Sequence, residues 1–577
     1  MSLLPSLILA LMMLCGWNAG RLRAQPPSTA ILPVHEIQAG QRGVGRTVFA
    51  GTRVESFDVE ILGVLEAVGP RQNVILARLS GGPLAQTGVL QGMSGSPVWI
   101  GGKLVGAVAF AFPFSKEPIA GIRPIEEMFA EPVSGPPAAR RPDGPPMWRG
   151  DGRQLVEVAT PIFFSGMTAR AIEHFAGTWR QYGLEPLQGV SGRSAAPGFR
   201  SGPLEPGSMI SVQLMTGDMA VGADGTVTHR EGDRIWGFGH RFLSAGSTDL
   251  PFAQSEVVAV LPSLASSFKI SAAREWLGAI TSDGNAAIVG VLGRRPPMTP
   301  LEIRVEGRPR QHRYRMELIR HPALTPFLLQ MALFSAIDAT ERTLGTATVL
   351  VEGEVQLEGN LPPLKVEQAV TSDWNAPALA SLASAAPLVS LLQAASDPVQ
   401  VAAAAFRVRV VEDREHWQID QLTVSRREVR PGDEIGLALI LAGANGQERV
   451  EQIRYRVPDG LLPGTLQITA SDAMTTNLAA NRTLLQTSSK PVRQLIRELN
   501  ELRSASSAYV RISRADAIPS AAGVEFRRPP AGLALLLSRQ ATVPLAANVG
   551  AALREIAVPL GLAVVSGSRT TQIEVKP

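Results

Sequence analysis

Residues 92–112, GMSGSPVWIGGKLVGAVAFAF, restrict the fold of this chain more than any other stretch. Short apolar runs at 98–100 and 104–112 flank the dipeptide Gly101-Gly102. Two glycines between apolar runs supply the positive φ angles that a two-residue β-hairpin needs. The pattern therefore predicts loop, strand, tight turn and strand, with Ser94 in the loop that leads into the hairpin.

The turn around Ser94 suits acyl-transfer chemistry. Gly92 and Gly95 lack a Cβ, so the backbone N–H groups here can approach a reacting carbonyl closely. We expect the N–H groups of Gly92 and Ser94 to form an oxyanion hole. The same string also fits a glycine-rich lead-in to a hairpin without chemistry. A histidine elsewhere decides between these readings, because serine is a poor nucleophile without an adjacent base.

Among seven histidines, His240 has the surroundings that a catalytic base needs. It ends a predicted strand meander, and Gly237 and Gly239 beside it allow another element to approach closely. Four of the others are interpreted as surface or core residues, namely His174, His312, His321 and His416, while His35 lies just before the first β unit and His229 at a predicted turn.

Composition excludes several classes of function. The formal charge of +4 is small for 577 residues and its arginines are scattered, so we expect no nucleic-acid partner. No His-Glu-x-x-His string and no phosphate-binding loop is present, so we expect neither a metal nor a cofactor. The chain has 55 glycines and 44 prolines, a balance that favours β-rich domains rich in turns.

The N-terminal segment reads as an export signal. An apolar stretch from Leu3 to Leu14 is followed by small and polar residues up to Ala24, after which we expect cleavage. The competing interpretation is an uncleaved anchor, since no Lys or Arg precedes the apolar stretch. The single cysteine, Cys15, follows Leu14 rather than a small residue, which argues against lipidation and leaves the mature chain without disulfides. We therefore expect an exported protein, periplasmic or associated with the cell envelope.

Strand patterns, proline-rich stretches and helix signals divide the chain into seven segments. These are a signal peptide (1–24), a β unit with the serine motif (34–130), a Pro/Gly-rich linker with a short helix capped by Ser165 (131–205), a β unit with the histidine motif (206–357), a helical connector (358–405), a β-sandwich-like module (406–475) and a C-terminal α/β region (476–577).

The motifs in combination resemble the SpoIVB-type serine peptidases. The resemblance rests on Gly-Met-Ser-Gly-Ser-Pro at 92–97, the downstream GKLVGAVAFAF, the string GIRPIE at 121–126, and Gly-Phe-Gly-His at 237–240. It implies that Ser94 is the nucleophile and His240 the base. It also implies a chymotrypsin-like fold of two six-stranded β-barrels, with the site between them.

Two features depart from that family. In its best-known members the Gly-His motif precedes the serine motif, whereas here Ser94 comes first, so a shared fold requires circularly permuted halves. The family's aspartate shortly before the serine motif is matched here by Ser80. The group that orients His240 is therefore open between Asp249, Asp58, a backbone carbonyl or nothing.

The sequence thus predicts a mainly β, exported serine endopeptidase that cleaves proteins or peptides through an acyl-enzyme. The alternative is a catalytically inactive scaffold or binding protein of the cell envelope that keeps the peptidase fold. The missing aspartate motivates this alternative. So does the long C-terminal region, which suits contact with an envelope protein partner.

Overall fold

The computed structural model describes residues 29–577 except 70–71, 113, 132–154, 190–201, 265, 307–310, 341–346, 412–414, 444–445, 482–489, 515–516, 522–523, 526–545 and 550–551. The expected signal peptide, Cys15 and most of the proline-rich stretch lie outside the described residues.

Six antiparallel strands form a closed barrel in the N-terminal region. The ring closes because the fourth strand pairs with both the first and the fifth. The strands are β1 (Arg42–Ala50), β2 (Arg53–Gly69), β3 (Gln72–Ser80), β4 (Pro97–Ile100), β5 (Lys103–Ala111) and β6 (Ile119–Pro124). A 3₁₀ turn (Val34–Glu36) precedes them, and two short helices, α1 (Leu84–Thr87) and α2 (Ile125–Phe129), accompany them. The prediction of a mainly β, chymotrypsin-like β-barrel fold is confirmed.

The hairpin predicted at the serine motif is also confirmed. Strands β4 and β5 pair with Ile100 opposite Lys103, and the two residues between them, Gly101 and Gly102, have φ angles of +57° and +80°. Positive φ at both central positions is what a tight hairpin turn requires. The side chains of Val105 and Val108 on β5 are buried in the core of the first barrel.

A connecting segment leads to the second β unit. It comprises β7 (Val156–Glu157), β8 (Thr160–Ser165), the helix α3 (Ala169–Gln181) and β9 (Leu184–Gln188). The prediction that Ser165 caps the helix is wrong, because Ser165 ends β8. Thr168 is the cap, and its side-chain oxygen accepts a hydrogen bond from Ala171 N–H at 3.2 Å.

The second β unit contains another closed ring of six antiparallel strands. Here the ring closes because its first strand pairs with both the second and the fourth. The strands are β10 (Met209–Gly217), β11 (Ala220–Glu231), β12 (Arg234–Gly237), β13 (Gly246–Leu261), β14 (Phe268–Asp283) and β15 (Ile288–Leu292). The serine motif therefore lies in the first barrel along the chain, and the histidine motif follows β12 of the second.

This second ring continues into a larger sheet of thirteen strands. Seven further strands extend it. Two of them are β8 and β9 of the connecting segment, which join the ring at β11. The other five are β16 (Met298–Glu306), β17 (Gln311–Ile319), β18 (Ala347–Leu357), β19 (Leu364–Ser372) and β20 (Val401–Val411). Helices α4 (Leu324–Thr340) and α5 (Ala376–Ala394) share the core of this sheet. Among the described helices, α5 alone is long and apolar enough to cross a membrane, by length and composition only, and 44% of that stretch is buried inside the protein.

The C-terminal region forms a β-sandwich with its own core. The elements of this region are β21 (His416–Val424), β22 (Glu428–Val429), β23 (Glu434–Gly443), β24 (Glu448–Arg456), β25 (Gly464–Ser471), α6 (Ala473–Asn481), α7 (Val492–Asn500), β26 (Ser507–Arg514), β27 (Ala517–Ala521), β28 (Val524–Glu525), β29 (Ala546–Val549), β30 (Ala552–Pro559), β31 (Val564–Ser566) and β32 (Ser568–Val575). Two of these parts lie outside the sandwich: β27, β28 and β29 form a separate three-stranded sheet, and α7 packs into the core of the large sheet through Leu495 and Ile496.

The boundaries expected for the sandwich module, 406 and 475, need correction. Phe406 and Val408 lie on β20, which pairs with β16 and β18 of the large sheet, so their side chains are buried in that sheet's core. Strands after 475 complete the sandwich, because β32 and β26 flank β25 on its two sides. Pairing between strands far apart in sequence sets these limits, and local strand patterns do not report it.

Candidate active site

The serine loop lies where the two barrels meet. Gly92 and Gly95 have φ angles of +88° and +91°, conformations that side-chain-bearing residues rarely adopt. Ser94 between them is fully buried, with 0% of its surface exposed. Its carbonyl accepts a hydrogen bond from Thr226 N–H on β11 at 2.8 Å, and the Gly95 carbonyl accepts one from the Thr228 hydroxyl at 2.7 Å. The second barrel therefore holds the loop of the first.

Two backbone N–H groups of the serine loop, those of Gly92 and Ser94, have no hydrogen-bond acceptor within the described residues. The Met93 carbonyl accepts from Ser96 N–H at 2.9 Å, and the Gln91 carbonyl accepts from Lys269 N–H at 3.3 Å. Because N–H and C=O of a trans peptide point in opposite directions, the following N–H groups, those of Ser94 and Gly92, point away from these partners. Within the described residues neither N–H has an acceptor. These are the two groups predicted for the oxyanion hole, and their role stays a prediction.

The histidine loop follows β12 and is held from the first barrel. Arg123 on β6 is 1% exposed, and its Nε donates to the Gly239 carbonyl at 3.3 Å. Its guanidinium also pairs with Glu127 at 3.0 Å and lies over the ring of Phe110. Because the Gly239 carbonyl belongs to the peptide that precedes His240, Arg123 fixes the backbone from which the imidazole projects.

The imidazole of His240 has one nitrogen bonded and one free. Nδ1 lies 2.6 Å from the Arg241 carbonyl, and since a carbonyl only accepts, Nδ1 carries the proton. Nε2 is then the basic nitrogen, and it is buried without a partner. Burial lowers the pKa of His240 below its ordinary value, while the Glu157 carboxylate acts in the opposite direction. A neutral imidazole with its proton on Nδ1 and an unprotonated Nε2 is the form that a general base requires.

The two motifs contact each other through their glycines. A Cβ added to Gly95 would lie 2.0 Å from the Thr226 carbonyl oxygen and 2.5 Å from the Phe238 nitrogen. A Cβ added to Gly239 would lie 3.2 Å from Cβ of Ala109 on β5. The fold thus brings Ser94 and His240 to one interface.

No hydrogen bond joins Ser94 to His240 in this structure, because the Ser94 Oγ and His240 Nε2 atoms are each without any partner. Both residues are also out of solvent contact, His240 at 2% exposure. Solvent therefore does not reach either side chain in this structure.

Neither aspartate considered as the orienting acid contacts His240. Asp249 pairs with Arg294 at 2.9 Å at the surface, and Asp58 is an exposed residue of β2 opposite Ser80. The backbone carbonyl of Arg241 takes the position at Nδ1 instead. Alternation explains the placement of Asp58, because its neighbours Phe57 and Val59 point into the barrel and the aspartate points outward.

Sequence reasoning missed two residues that support the histidine loop. Arg123 was noted only as part of a motif, although a cation between Ile122 and Pro124 in a short apolar strand signals a buried, paired charge. Asp283 ends β14 and is 1% exposed. Its carboxylate accepts N–H groups from Phe242, Leu243 and Ala245, at 2.8, 2.7 and 3.0 Å. No local signal in the sequence distinguishes Asp283 from an ordinary turn residue.

A cavity of about 760 Å³ lies elsewhere, on the large sheet. Residues of β10, β16, β17, β18 and β20 line it, among them Glu302, Arg304 and Arg315. Ser94 and His240 are not among its lining residues, so this cavity is not the site described here.

A closed six-stranded barrel that presents a glycine-framed serine is consistent with the chymotrypsin-like class of serine peptidases. A comparison of sequences points to the same class. The family described as SpoIVB peptidase S55 matches residues 21–128, which contain the first barrel and Ser94. This confirms the similarity to SpoIVB-type serine peptidases and supports a serine peptidase. His240 lies outside the matched segment, and no curated protein and no solved structure matches the chain.

The contact at Gly95 yields a stability prediction. Gly95→Ala adds strain at positive φ and a clash with two backbone atoms, so we expect a loss of about 3 kcal/mol or more. Gly102→Ala is the matched control, since its φ is also positive but nothing lies within 4 Å, and it should cost about 1 kcal/mol. Scanning calorimetry of both variants measures the difference. Equal losses would contradict the tight contact between the barrels.

Proposed function

We propose that this protein is an exported serine endopeptidase that acts through an acyl-enzyme. Ser94 Oγ attacks the peptide carbonyl while His240 Nε2 takes its proton. The N–H groups of Gly92 and Ser94 stabilise the oxyanion, and His240 returns the proton to the leaving amine. Water then repeats the sequence on the ester, with His240 again as base, and releases the acid.

One observation supports this proposal above the others: the serine loop keeps two buried N–H groups without an acceptor, at the same barrel interface as a histidine whose Nε2 also has no partner. Buried polar groups in proteins are nearly always paired, so unpaired ones gathered at one interface indicate a site awaiting a ligand. A tetrahedral intermediate would satisfy all of them, because its oxyanion accepts both N–H groups and its ester oxygen lies beside the imidazolium.

The second candidate is a scaffold or binding protein of the cell envelope that retains the fold without turnover. It is favoured by the missing Ser94–His240 hydrogen bond and by the absence of a carboxylate at Nδ1. In this case the C-terminal sandwich would contact an envelope protein partner. The two candidates differ in whether Ser94 ever reacts.

Replacing Ser94 decides between them. We expect Ser94→Ala to abolish labelling by a fluorophosphonate probe and to lower casein hydrolysis by roughly 10³-fold or more, because the nucleophile is lost. Ser96→Ala is the matched control, since Ser96 is equally buried, its Oγ is also unpartnered, and it should keep both activities. If the wild-type protein never reacts with the probe, the peptidase proposal fails and the scaffold proposal takes its place.

The pH dependence of kcat/KM follows from the burial of His240. Its ordinary pKa is about 6.5, and burial lowers it, so we expect activity to persist at pH 6.5 and to fall only on further acidification. Glu157→Gln removes a carboxylate that raises this pKa and should shift the acid limb to still lower pH. Casein hydrolysis measured across pH 4.5–7.5 tests both statements. An acid limb above pH 6.5, or one that Glu157→Gln leaves in place, would exclude His240 as the base.

Export is proposed from the apolar stretch before Ala24. We expect the mature chain to begin at Gln25 and to be recovered in the periplasmic or envelope fraction of the source cell. Mass spectrometry of the N-terminus checks this directly. A chain that still carries residues 1–24 in the membrane fraction would indicate an anchor, and an intact chain in the cytoplasmic fraction would contradict export.

A further inference from the structure

Lys269 on β14 is a buried cation that contacts the serine loop. Its side chain is 0% exposed, and Nζ donates to the Thr47 hydroxyl on β1 at 2.8 Å and to the Gly92 carbonyl at 3.3 Å. The aliphatic part runs along Gly92, where an added Cβ would lie 3.5 Å from Lys269 Cδ. One side chain of the second barrel thus joins two elements of the first.

A buried aspartate lies near this lysine without forming an ion pair with it. Asp224 on β11 is 2% exposed and accepts hydrogen bonds from the hydroxyls of Ser255, at 2.8 Å, and Ser271. Burial lowers the pKa of Lys269 to about 7, while the charge of Asp224 acts to raise it. Burial raises the pKa of Asp224, and the hydroxyl hydrogen bonds and the charge of Lys269 act to lower it. The two residues therefore attract each other through their charges across the core, without a direct contact.

Lys269 holds the loop by its backbone as well. Its N–H donates to the Gln91 carbonyl at 3.3 Å, next to the isolated bridge between Gln91 and Phe268. The Gln91 carbonyl and the Gly92 N–H belong to the same peptide, and the Gly92 carbonyl belongs to the next. Lys269 therefore fixes both peptides of Gly92, one through its N–H and the other through Nζ.

We propose that Lys269, supported by Asp224, is a positioning residue that holds Gly92 so that its N–H is presented to the oxyanion. This inference rests on the proposed function and adds a residue that the serine and histidine motifs do not include. It differs from a merely structural charge pair, because the loss of Lys269 should affect the transition state and not substrate binding. An oxyanion forms only after attack, so its donors contribute to kcat more than to KM.

The test compares two variants of the full chain. Lys269→Met alone removes a positive charge that favours the ionised form of buried Asp224 and leaves the Gly92 carbonyl without its Nζ donor, so it should lower the melting temperature. Lys269→Met with Asp224→Asn removes both charges and should recover most of that stability. In this double variant we expect kcat for casein to fall about tenfold to a hundredfold with KM changed less than about twofold. Ser255→Ala is the control, since it removes one hydrogen bond on Asp224 and keeps every Lys269 contact to the loop.

A readout independent of turnover separates this inference from the proposed function. Hydrogen exchange of the peptide covering residues 88–96 should be faster in the double variant and unchanged in Ser255→Ala. If the wild-type chain hydrolyses nothing, the peptidase proposal fails, while exchange still reports whether Lys269 holds the loop. Unchanged exchange, or a kcat within twofold of wild type in a double variant of equal stability, would overturn the positioning role.

Discussion

The backbone contact between the serine loop and β11 is the interaction on which the rest of the site depends. Thr226 donates its N–H to the Ser94 carbonyl and its hydroxyl to the Gly92 carbonyl, at 2.8 and 3.0 Å. A buried loop has polar backbone groups that water cannot reach, so each needs a partner within the protein. Here the second barrel supplies partners for the Gly92, Ser94 and Gly95 carbonyls, while the N–H groups of Gly92 and Ser94 stay without an acceptor. The barrels cannot separate without exposing or orphaning these carbonyls, and the geometry of the loop is thereby tied to the docking of the barrels.

The sequence predicted the local features of this arrangement well. The hairpin around Gly101-Gly102 followed from turn chemistry, and the inward and outward alternation of β2 followed from its period of two. The glycine before His240 predicts the close approach of another element, and Gly239 does pack against Ala109 of the first barrel. Gly95 is interpreted from the sequence as leaving room for a reacting carbonyl, and it packs against Thr226 and Phe238 of the second barrel. Signals of this kind are carried by neighbouring residues, so a single sequence contains them.

Contacts between residues far apart in the chain could not be predicted from the sequence. The pairing of Arg123 with Gly239, of Lys269 with Gly92 and of Asp283 with the loop at 242–245 each joins residues far apart in the chain. Nothing in the residues around Lys269 or Asp283 marks them as buried, because a charged side chain in a strand ordinarily faces solvent. The limits of the C-terminal sandwich were missed for the same reason, since they depend on which strands pair.

The carbonyl at His240 Nδ1 bears on how fast the proposed reaction can be. A carboxylate at this position fixes the tautomer and also stabilises the imidazolium that forms during attack. The Arg241 carbonyl accomplishes the first task, because it accepts only from a protonated Nδ1. The carbonyl has no negative charge with which to stabilise the imidazolium. Glu157 supplies a charge nearby, but it pairs with Arg241 at 3.5 Å and is partly exposed, so solvent and the guanidinium weaken its effect. In the proposed mechanism His240 would therefore act as a base in the correct tautomer with little stabilisation of the imidazolium, which suits a slow peptidase that makes few cleavages.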